Sequence, residues 1–276
     1  MPTVADKRRT FRALHERGCF LIPNPWDVGG AVYLQSLGFK ALATTSSGMA
    51  WSIGYADGQV PLELMLQHFA AMVAATDLPV NADFLDGFAL EPQDVAANVT
   101  RCVATGVAGL SIEDATRDVP TLDFALSVER IRAARAAIDD AGGDTLLVAR
   151  SEVFLQKHPE PLKEAIRRLV AFAEADADCL YAPGVSARED IAAIVAAVAP
   201  KPVNVLARNL GALTMRDLAA LGVRRVSVGG LLARMAWAGF QRAGRELAEA
   251  GTFAAFEDAA PGGQIDALFV GRGSPS

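Results

Sequence analysis

Short apolar runs rich in β-branched residues recur along the chain and alternate with longer stretches whose apolar residues repeat at helical spacing. The short runs predict eight strands. Their starts lie about 20 to 40 residues apart, which is close to the length of one strand–helix unit. The predicted strands are Phe20–Pro23, Ala41–Ser46, Pro79–Asp83, Gly109–Glu113, Thr145–Arg150, Cys179–Ala182, Pro202–Leu206 and Arg225–Gly229.

Helical patterns occupy most of the intervals between these runs. Pro61–Thr76 begins with a proline suited to a first helical turn and repeats its apolar residues at helical spacing. Leu126–Ala141 is amphipathic and is followed by two glycines that favour its end. Further helices are predicted over Thr10–Arg17, Pro159–Asp176, Ala187–Val198, Met215–Leu221 and Leu231–Ala250.

Eight strand–helix units without an intervening linker predict a closed α/β barrel of the (β/α)₈ TIM type. An open nucleotide-binding sheet is the alternative, and it would normally carry a GxGxxG turn after the first strand. The turn over residues 24–30 reads NPWDVGG and lacks that pattern. We therefore expect one barrel domain over residues 1–276, with residues from about 251 to 276 forming a C-terminal helical extension.

Composition narrows the function classes. The apolar fraction of 51% suits one large core, yet no apolar run is long enough to span a membrane, and the charged N-terminal segment lacks the apolar stretch of a signal peptide. The net charge is −6 and the basic residues are scattered. We interpret Arg132, Arg135, Arg167 and Arg168 as solvated helix faces. We expect a cytoplasmic protein without a nucleic-acid or membrane partner.

Carboxylates follow several predicted strands. Asp83 and Glu113 end neighbouring strands and Asp57 lies in the preceding loop, so they can converge at the carboxyl end of a barrel, where active sites lie. Gathered carboxylates repel one another and are usually neutralised by a cation, and oxygen ligands favour Mg²⁺ or Mn²⁺ over zinc. For Asp27 and Asp114, we favour helix capping instead.

Two further features indicate anion binding. Arg150 ends the fifth strand, where it can hold a carboxylate or a phosphate; an ion pair with Glu152 is the alternative. Ser46-Ser47-Gly48 directly follows the second strand, and successive N–H groups with hydroxyls there would form an anion-binding turn. Tyr181 and Asn204 are other polar residues on the barrel strands.

Taken together, these segments resemble the isocitrate lyase / phosphoenolpyruvate mutase superfamily over roughly residues 18 to 230. Single motifs are common, but their order and their positions after the strands make the set specific. The motifs are Pro23-Asn24-Pro25-Trp26-Asp27, Thr45-Ser46-Ser47-Gly48, the Gly54–Pro61 loop with Asp57, Val80-Asn81-Ala82-Asp83, Ser111-Ile112-Glu113-Asp114 and Ala149-Arg150-Ser151-Glu152.

The resemblance implies roles for individual residues. It assigns Arg150 and the Ser46–Gly48 turn to binding the carboxylate and oxyanion of a 2-oxo acid, and Trp26 to the pocket wall. It implies a Mg²⁺ ion that is held largely through water, and homodimers or homotetramers that exchange a C-terminal helix. The expected catalytic residues are Arg150, Asp57 and Glu113; the expected metal ligands are Asp83, Asn81, Asp57 and Glu113; the expected substrate contacts are Trp26, Ser46, Ser47, Gly48, Asn81, Asp83, Arg150 and Asn204.

The chain departs from the family pattern at two places. Asn81 stands where the family has an aspartate that contacts the metal directly, which predicts weaker Mg²⁺ binding and a larger share for Asp83 or Asp86. The loop over residues 114–121 lacks the cysteine, histidine and lysine of the carbon–carbon lyases, and also the lysine- and asparagine-bearing pattern of the phosphonate-forming mutases. Isocitrate or methylisocitrate cleavage is therefore not expected.

A reaction that needs little proton transfer is favoured instead. We expect a Mg²⁺-dependent lyase or decarboxylase that converts a 2-oxo acid through an enolate, with an oxaloacetate-like diacid as the substrate. The alternatives are an enzyme that acts on the P–C bond of phosphonopyruvate and a barrel that binds 2-oxo acids without turnover.

Overall fold

Eight parallel strands form the centre of the computed structural model, which describes residues 1–271. All eight coincide with predicted runs; half of their ends match the prediction, and the others are one to three residues shorter. They are β1 (Phe20–Ile22), β2 (Leu42–Ala43), β3 (Val80–Asp83), β4 (Gly109–Glu113), β5 (Leu146–Arg150), β6 (Cys179–Tyr181), β7 (Val203–Leu206) and β8 (Arg225–Ser227).

The strands close into a barrel. They pair in the order β1-β8-β7-β6-β5-β4-β3-β2. The two ends of this order are bridged where the Ala43 N–H donates to the Pro23 carbonyl at 3.0 Å. The predicted (β/α)₈ TIM-type barrel is confirmed.

Helices surround the barrel, and polar caps fix several of their starts. Thr3 with Asp6, and Thr214 with Asp217, form capping boxes. Asp27 caps its helix by accepting from the Gly30 N–H at 2.6 Å, as predicted. The helices are α1 (Val4–Glu16), α2 (Val28–Ser36), α3 (Ser46–Ser52), α4 (Leu62–Ala75), α5 (Pro92–Ala104), α6 (Phe124–Asp140), α7 (Pro161–Glu174), α8 (Arg188–Val198), α9 (Met215–Ala220), α10 (Leu231–Glu249) and α11 (Gly262–Ala267), with a 3₁₀ turn over Ala254–Phe256 between the last two.

Four helices differ from the sequence prediction. α1 begins at Val4, six residues before the predicted start at Thr10. α2 and α5 were not predicted. α3 replaces the expected Ser46–Gly48 turn, since the Thr45 side chain caps a helix that begins at Ser46. The glycine at position 48 permits this helix to approach the barrel, because a Cβ there would lie 2.8 Å from the Cβ of Trp26.

The barrel interior is filled at its amino-terminal end and open at the other. Phe11 of α1 packs below the strands with Ile22, Ala43 and Leu146, all almost fully buried. His15 lies beside this apolar cluster, and its Nδ1 is hydrogen-bonded to the Phe11 carbonyl at 2.8 Å. The larger core lies between the strands and the helices. The cavity can therefore open only at the carboxyl ends of the strands.

The C-terminal part of the chain exposes apolar side chains. Met235 and Phe240 of α10 and Phe253 beyond it are each about 70% exposed. Phe269 lies near Gly29 of α2 in the same chain. The expected exchange of this segment between subunits stays a prediction, and its last residues, 272–276, lie outside the described part of the chain. Among residues 1–271, no helix is long and apolar enough to cross a membrane.

Candidate active site

A cavity of about 380 Å³ opens at the carboxyl ends of the strands. In a (β/α)₈ barrel this is the end at which active sites lie. Polar residues from the strand ends and from the loops line it. They include Asn24, Thr44, Ser46, Ser47, Asp57, Asn81, Asp83, Glu113, Thr116, Arg117, Arg150, Glu152, Tyr181, Arg225 and Ser227.

Arg150, the last residue of β5, is surrounded by carboxylates. Its Nη1 lies 2.9 Å from Oδ1 of Asp83 and 3.0 Å from Oε1 of Glu113, and its Nε donates to Oε1 of Glu152 at 2.8 Å. The guanidinium also lies 5.1 Å from the ring centre of Tyr181. Burial disfavours the charge of Arg150, but Glu113, Glu152 and Asp83 outweigh that effect and raise its pKa. Arg150 is therefore a permanent cation and the centre of the acidic cluster.

Asp83 also connects the cluster to α3. Its Oδ2 accepts from the Ser46 N–H at 2.9 Å, while its own N–H donates to Oγ1 of Thr44 at 2.9 Å. The first N–H group of α3, expected to bind a ligand, is thus already bonded to a carboxylate. Asp57 lines the same cavity and accepts hydrogen bonds from the Ser46 side chain and the Gly58 backbone.

The carboxylates outnumber the cation that they share. Asp57 keeps solvent exposure, but partial desolvation and then the neighbouring Asp83 raise its pKa. Burial raises the pKa of Glu113 well above its ordinary value; Arg150 opposes this shift, and Glu152, Asp83 and Asp57 add to it. Burial also raises the pKa of Glu152 against the effect of Arg150. The mouth of the barrel, formed by Arg150 and these four carboxylates, therefore has negative charge in excess.

The floor of the cavity is built differently. Arg225, at the start of β8, donates from Nε to Oδ1 of Asn204 at 2.8 Å and from Nη1 to Oδ1 of Asn81 at 3.2 Å. The Asn81 amide nitrogen donates to the Ala82 carbonyl at 3.0 Å. Asn204 donates to Oγ of Ser227 at 3.0 Å. The Asn81 oxygen, the atom that would ligate a metal, is thus bonded to a guanidinium.

A buried ion pair fixes the loop after β4. Arg168 of α7 lies 3.2 Å from Oδ2 of Asp114 and donates to the Leu122 carbonyl at 2.9 Å. Oδ1 of Asp114 accepts from the Glu152 N–H at 2.7 Å. The expectation that Asp114 caps a helix is therefore wrong. Its carboxylate instead connects the loop over residues 115–121 to the end of β5. Nor is Arg168 a solvated helix residue, since only 4% of it is exposed.

Comparison with known proteins identifies the relatives of this barrel. The family model described as phosphoenolpyruvate phosphomutase matches residues 11–248. The chain belongs to this family. Its place in the isocitrate lyase / phosphoenolpyruvate mutase superfamily, suggested by the strand-end motifs, is confirmed.

Three solved structures resemble the chain over nearly its whole length. A Burkholderia cenocepacia J2315 protein, provisionally described as a lyase or mutase, is 45% identical, with a TM-score of 0.92 over 98% of this chain and 97% of that one. Oxaloacetate acetylhydrolase with its product oxalate is 26% identical, with a TM-score of 0.85 over 96% and 95%. 2,3-Dimethylmalate lyase is 26% identical, with a TM-score of 0.82 over 97% and 95%.

Most of the predicted site residues meet in this member of the phosphomutase family. Asp83, Glu113 and Arg150 are in direct contact. Ser46, Ser47, Asp57 and Asn81 line the same cavity. Trp26, Gly48 and Asn204 are not among its lining residues: the first two pack against each other, and Asn204 lies beneath the cavity with no exposed surface.

Sequence reasoning missed two residues of the site. Arg225 was treated only as the start of a strand, although a charged residue opening a buried barrel strand is itself a signal. Glu152 was considered as an ion-pair partner of Arg150 and was left out of the predicted site; its contact with Arg150 supports its membership of the cluster.

The carboxylate oxygens at the mouth are suited, in chemistry and in charge, to binding a hard divalent cation. Carboxylate oxygens are the ligands that Mg²⁺ prefers, and here they exceed the positive charge of Arg150. Within residues 1–271, no group of three or more His, Cys, Asp or Glu side chains is arranged to hold a metal ion directly. A cation at the mouth would compete with Arg150 for Asp83 and Glu113.

Proposed function

We propose that this protein is an enzyme that acts on a small 2-oxo carboxylate through an enolate, as a carbon–carbon lyase or a decarboxylase. The observation that carries the proposal is the Arg150 guanidinium held among Asp83, Glu113 and Glu152 at the end of the cavity. A planar cation in such a place binds a carboxylate in a defined orientation. The likeness to oxaloacetate acetylhydrolase and 2,3-dimethylmalate lyase supports the same reaction class.

Each residue of the mouth has a role in this proposal. Arg150 binds the substrate carboxylate, and Ser46 and Ser47 at the start of α3, which line the cavity, lie beside the 2-oxo group. Gly48 supports their position by letting α3 pack closely on Trp26. Glu152 and Glu113, whose carboxyl pKa values are raised chiefly by burial, keep a proton to higher pH than an ordinary glutamate does. Burial raises the pKa of Tyr181 to about 12, so its hydroxyl serves as a hydrogen-bond donor and not as a base.

We further propose that Mg²⁺, or Mn²⁺ in its place, binds through water to Asp57, Asp83 and Glu113. When bound, the ion supplies positive charge to the enolate as it forms. Asn81 takes no part in this binding in our proposal, because its oxygen accepts from Arg225. We also retain the expectation of a homodimer or homotetramer, which the exposed apolar residues of α10 support.

Decarboxylation of a 2-oxo diacid is the reaction that the loop after β4 favours. Residues 114–121 contain no cysteine, histidine or lysine that could move a proton. In decarboxylation the bond to the lost carboxylate breaks, CO₂ leaves, and the electron pair becomes the enolate without a base. One proton then returns to carbon, and protonated Glu152 or water supplies it.

An enzyme for the P–C bond of phosphonopyruvate is the second candidate. The match to the phosphoenolpyruvate phosphomutase family model favours it, and the composition of the 114–121 loop counts against it. Phosphorus NMR on phosphonopyruvate distinguishes the two: a new inorganic phosphate or phosphoenolpyruvate signal would support this candidate.

Product release from a panel of 2-oxo and 2-hydroxy diacids tests the main proposal, with Mg²⁺ and with EDTA. We expect pyruvate or an equivalent 2-oxo product from at least one diacid. Asp83→Asn should reduce kcat/KM at least about 100-fold, since it removes charge from the site without changing shape. Asp94→Asn, an exposed change on α5, is the matched control. Absence of turnover with every substrate would leave only a binding protein for 2-oxo acids.

A further inference from the structure

Two arginines face the cavity from one row of strand residues. Arg150 is the register partner of Tyr181, Tyr181 of Asn204, and Asn204 of Arg225. Register partners on neighbouring strands point to the same face of a sheet. Neighbouring strands lie about 4.8 Å apart, so three steps correspond to roughly 14 Å around the barrel wall. The two guanidinium groups therefore look into the cavity from opposite parts of its wall.

Arg225 is held by neutral groups alone. Its two oriented hydrogen bonds go to the amide oxygens of Asn204 and Asn81. Only 3% of its surface is exposed. Among residues 1–271, no carboxylate lies within salt-bridge distance of it, whereas Asp83, Glu113 and Glu152 all bond to Arg150. Amides orient a guanidinium without neutralising it, and a buried cation without an anion is costly.

Asn81 preserves this positive charge. Its Oδ1 lies at the guanidinium while its amide nitrogen is bonded to the Ala82 carbonyl. A carboxylate at position 81 would form an ion pair with Arg225, and the floor would then be neutral. The amide keeps the guanidinium aligned and leaves its charge available to an anion in the cavity.

We propose that Arg225 binds a second anionic group of the substrate, so that the protein selects dicarboxylates over monocarboxylates. This inference rests on the proposed function and names its substrate class: a 2-oxo diacid with one carboxylate at Arg150 and the other at the floor. The cavity of about 380 Å³ lies within the range of small-molecule sites. Arg225 is then a specificity-determining residue of the same site.

Matched ligand pairs test the proposal without turnover. 2-Oxoglutarate and 2-oxopentanoate have the same five-carbon chain and differ in the terminal carboxylate; oxaloacetate and 2-oxobutyrate are the four-carbon pair. Calorimetric titration in EDTA should give the wild-type protein at least about tenfold tighter binding of one diacid than of its partner, the size expected for a hydrogen-bonded charge pair.

Two variants remove the floor charge by different routes. Arg225→Met should abolish the diacid preference, so that the two members of each ligand pair bind within about threefold of each other. Asn81→Asp should do the same while retaining Arg225, because the new carboxylate occupies the guanidinium; it decides the matter if Arg225→Met fails to fold. Arg132→Met, on the exposed face of α6, is the control and should keep the preference.

The proposal is overturned if the wild-type protein binds both members of each pair equally, or if a folded Asn81→Asp protein keeps the full preference. This outcome is separate from the fate of the proposed function. A protein that turns over no substrate but loses its diacid preference in Asn81→Asp would contradict the enzyme and retain the floor site.

Discussion

The mouth and the floor of the cavity each contain one arginine, partly exposed at the mouth and buried at the floor, and the groups around the two differ in charge. Arg150 contacts three carboxylates, whereas Arg225 contacts two amides. The mouth is consequently negative and the floor positive, although both belong to one ring of strands. The comparison shows that the partners of a guanidinium decide its role. Carboxylate partners neutralise its charge, whereas amide partners leave the charge available to a ligand.

The pKa values of titratable groups near the two arginines shift in ways that have opposite effects on stability. At the mouth, burial raises the pKa of Glu113, and the neighbouring carboxylates of Glu152, Asp83 and Asp57 add to this shift. Beneath the floor, burial lowers the pKa of His15 to about 3, and the positive charge of Arg225 adds to this shift. The two regions should therefore make stability depend on pH with opposite signs.

The largest expected effect comes from Arg150→Met. This change leaves Asp83, Glu113 and Glu152 without a counter-ion, and breaking such a buried pair typically costs about 3–5 kcal/mol of unfolding free energy. Activity should fall at least about 1,000-fold through the lost carboxylate contact. Urea denaturation and kcat/KM on the best diacid measure the two effects. Full activity in a folded Arg150→Met protein would remove this residue from the site.

His15→Gln should flatten the acid side of the stability profile. The folded-state pKa of His15, about 3, lies below that of the unfolded chain, so the unfolded state binds more protons as pH falls below about 6.5. Each such proton costs about 1.4 kcal/mol of stability per pH unit. Urea unfolding between pH 7 and 4.5 should therefore show a steeper loss in wild type than in the variant. Equal slopes would place the His15 pKa near its ordinary value.

Glu113→Gln should have a smaller effect of opposite sign. A carboxyl whose pKa is raised in the folded state holds its proton longer there, so its contribution to stability is present below about pH 4.5 and is lost as pH rises through the folded pKa. In EDTA, the variant should lose less stability than wild type between pH 5 and 8. The same variant should need more Mg²⁺ for half-maximal activity, and an unchanged metal titration would contradict a role in metal binding.

The sequence predicted much of the fold because the information is local. Each barrel strand is a short apolar run, and Gly109–Glu113 was predicted with its exact ends. Since the carboxyl ends of parallel strands share one edge, Asp83, Glu113 and Arg150 could be expected to meet. The first turn of α3 was less evident, because Ser46-Ser47-Gly48 also suits a loop, and the Thr45 cap decides between the two.

Positions that depend on distant partners could not be predicted in this way. Arg168 has the sequence environment of a surface helix, with Glu164 and Arg167 beside it, yet it lies buried against Asp114, 54 residues earlier in the chain. Trp26 was expected in the cavity wall and instead packs on Gly48. Such contacts depend on how helices dock on the barrel, which the local pattern does not specify.

The sequence by itself determined the barrel, the family and the acidic residues at the strand ends, because strand periodicity and strand-end chemistry follow from adjacent residues. Only the tertiary structure decided that the guanidinium of Arg150 is paired with carboxylates and that of Arg225 with amides. Asn81 and Arg225 are 144 residues apart, and the barrel register brings the amide to the guanidinium. That contact bonds the Asn81 oxygen, which the sequence predicted to be a metal ligand, to the guanidinium of Arg225.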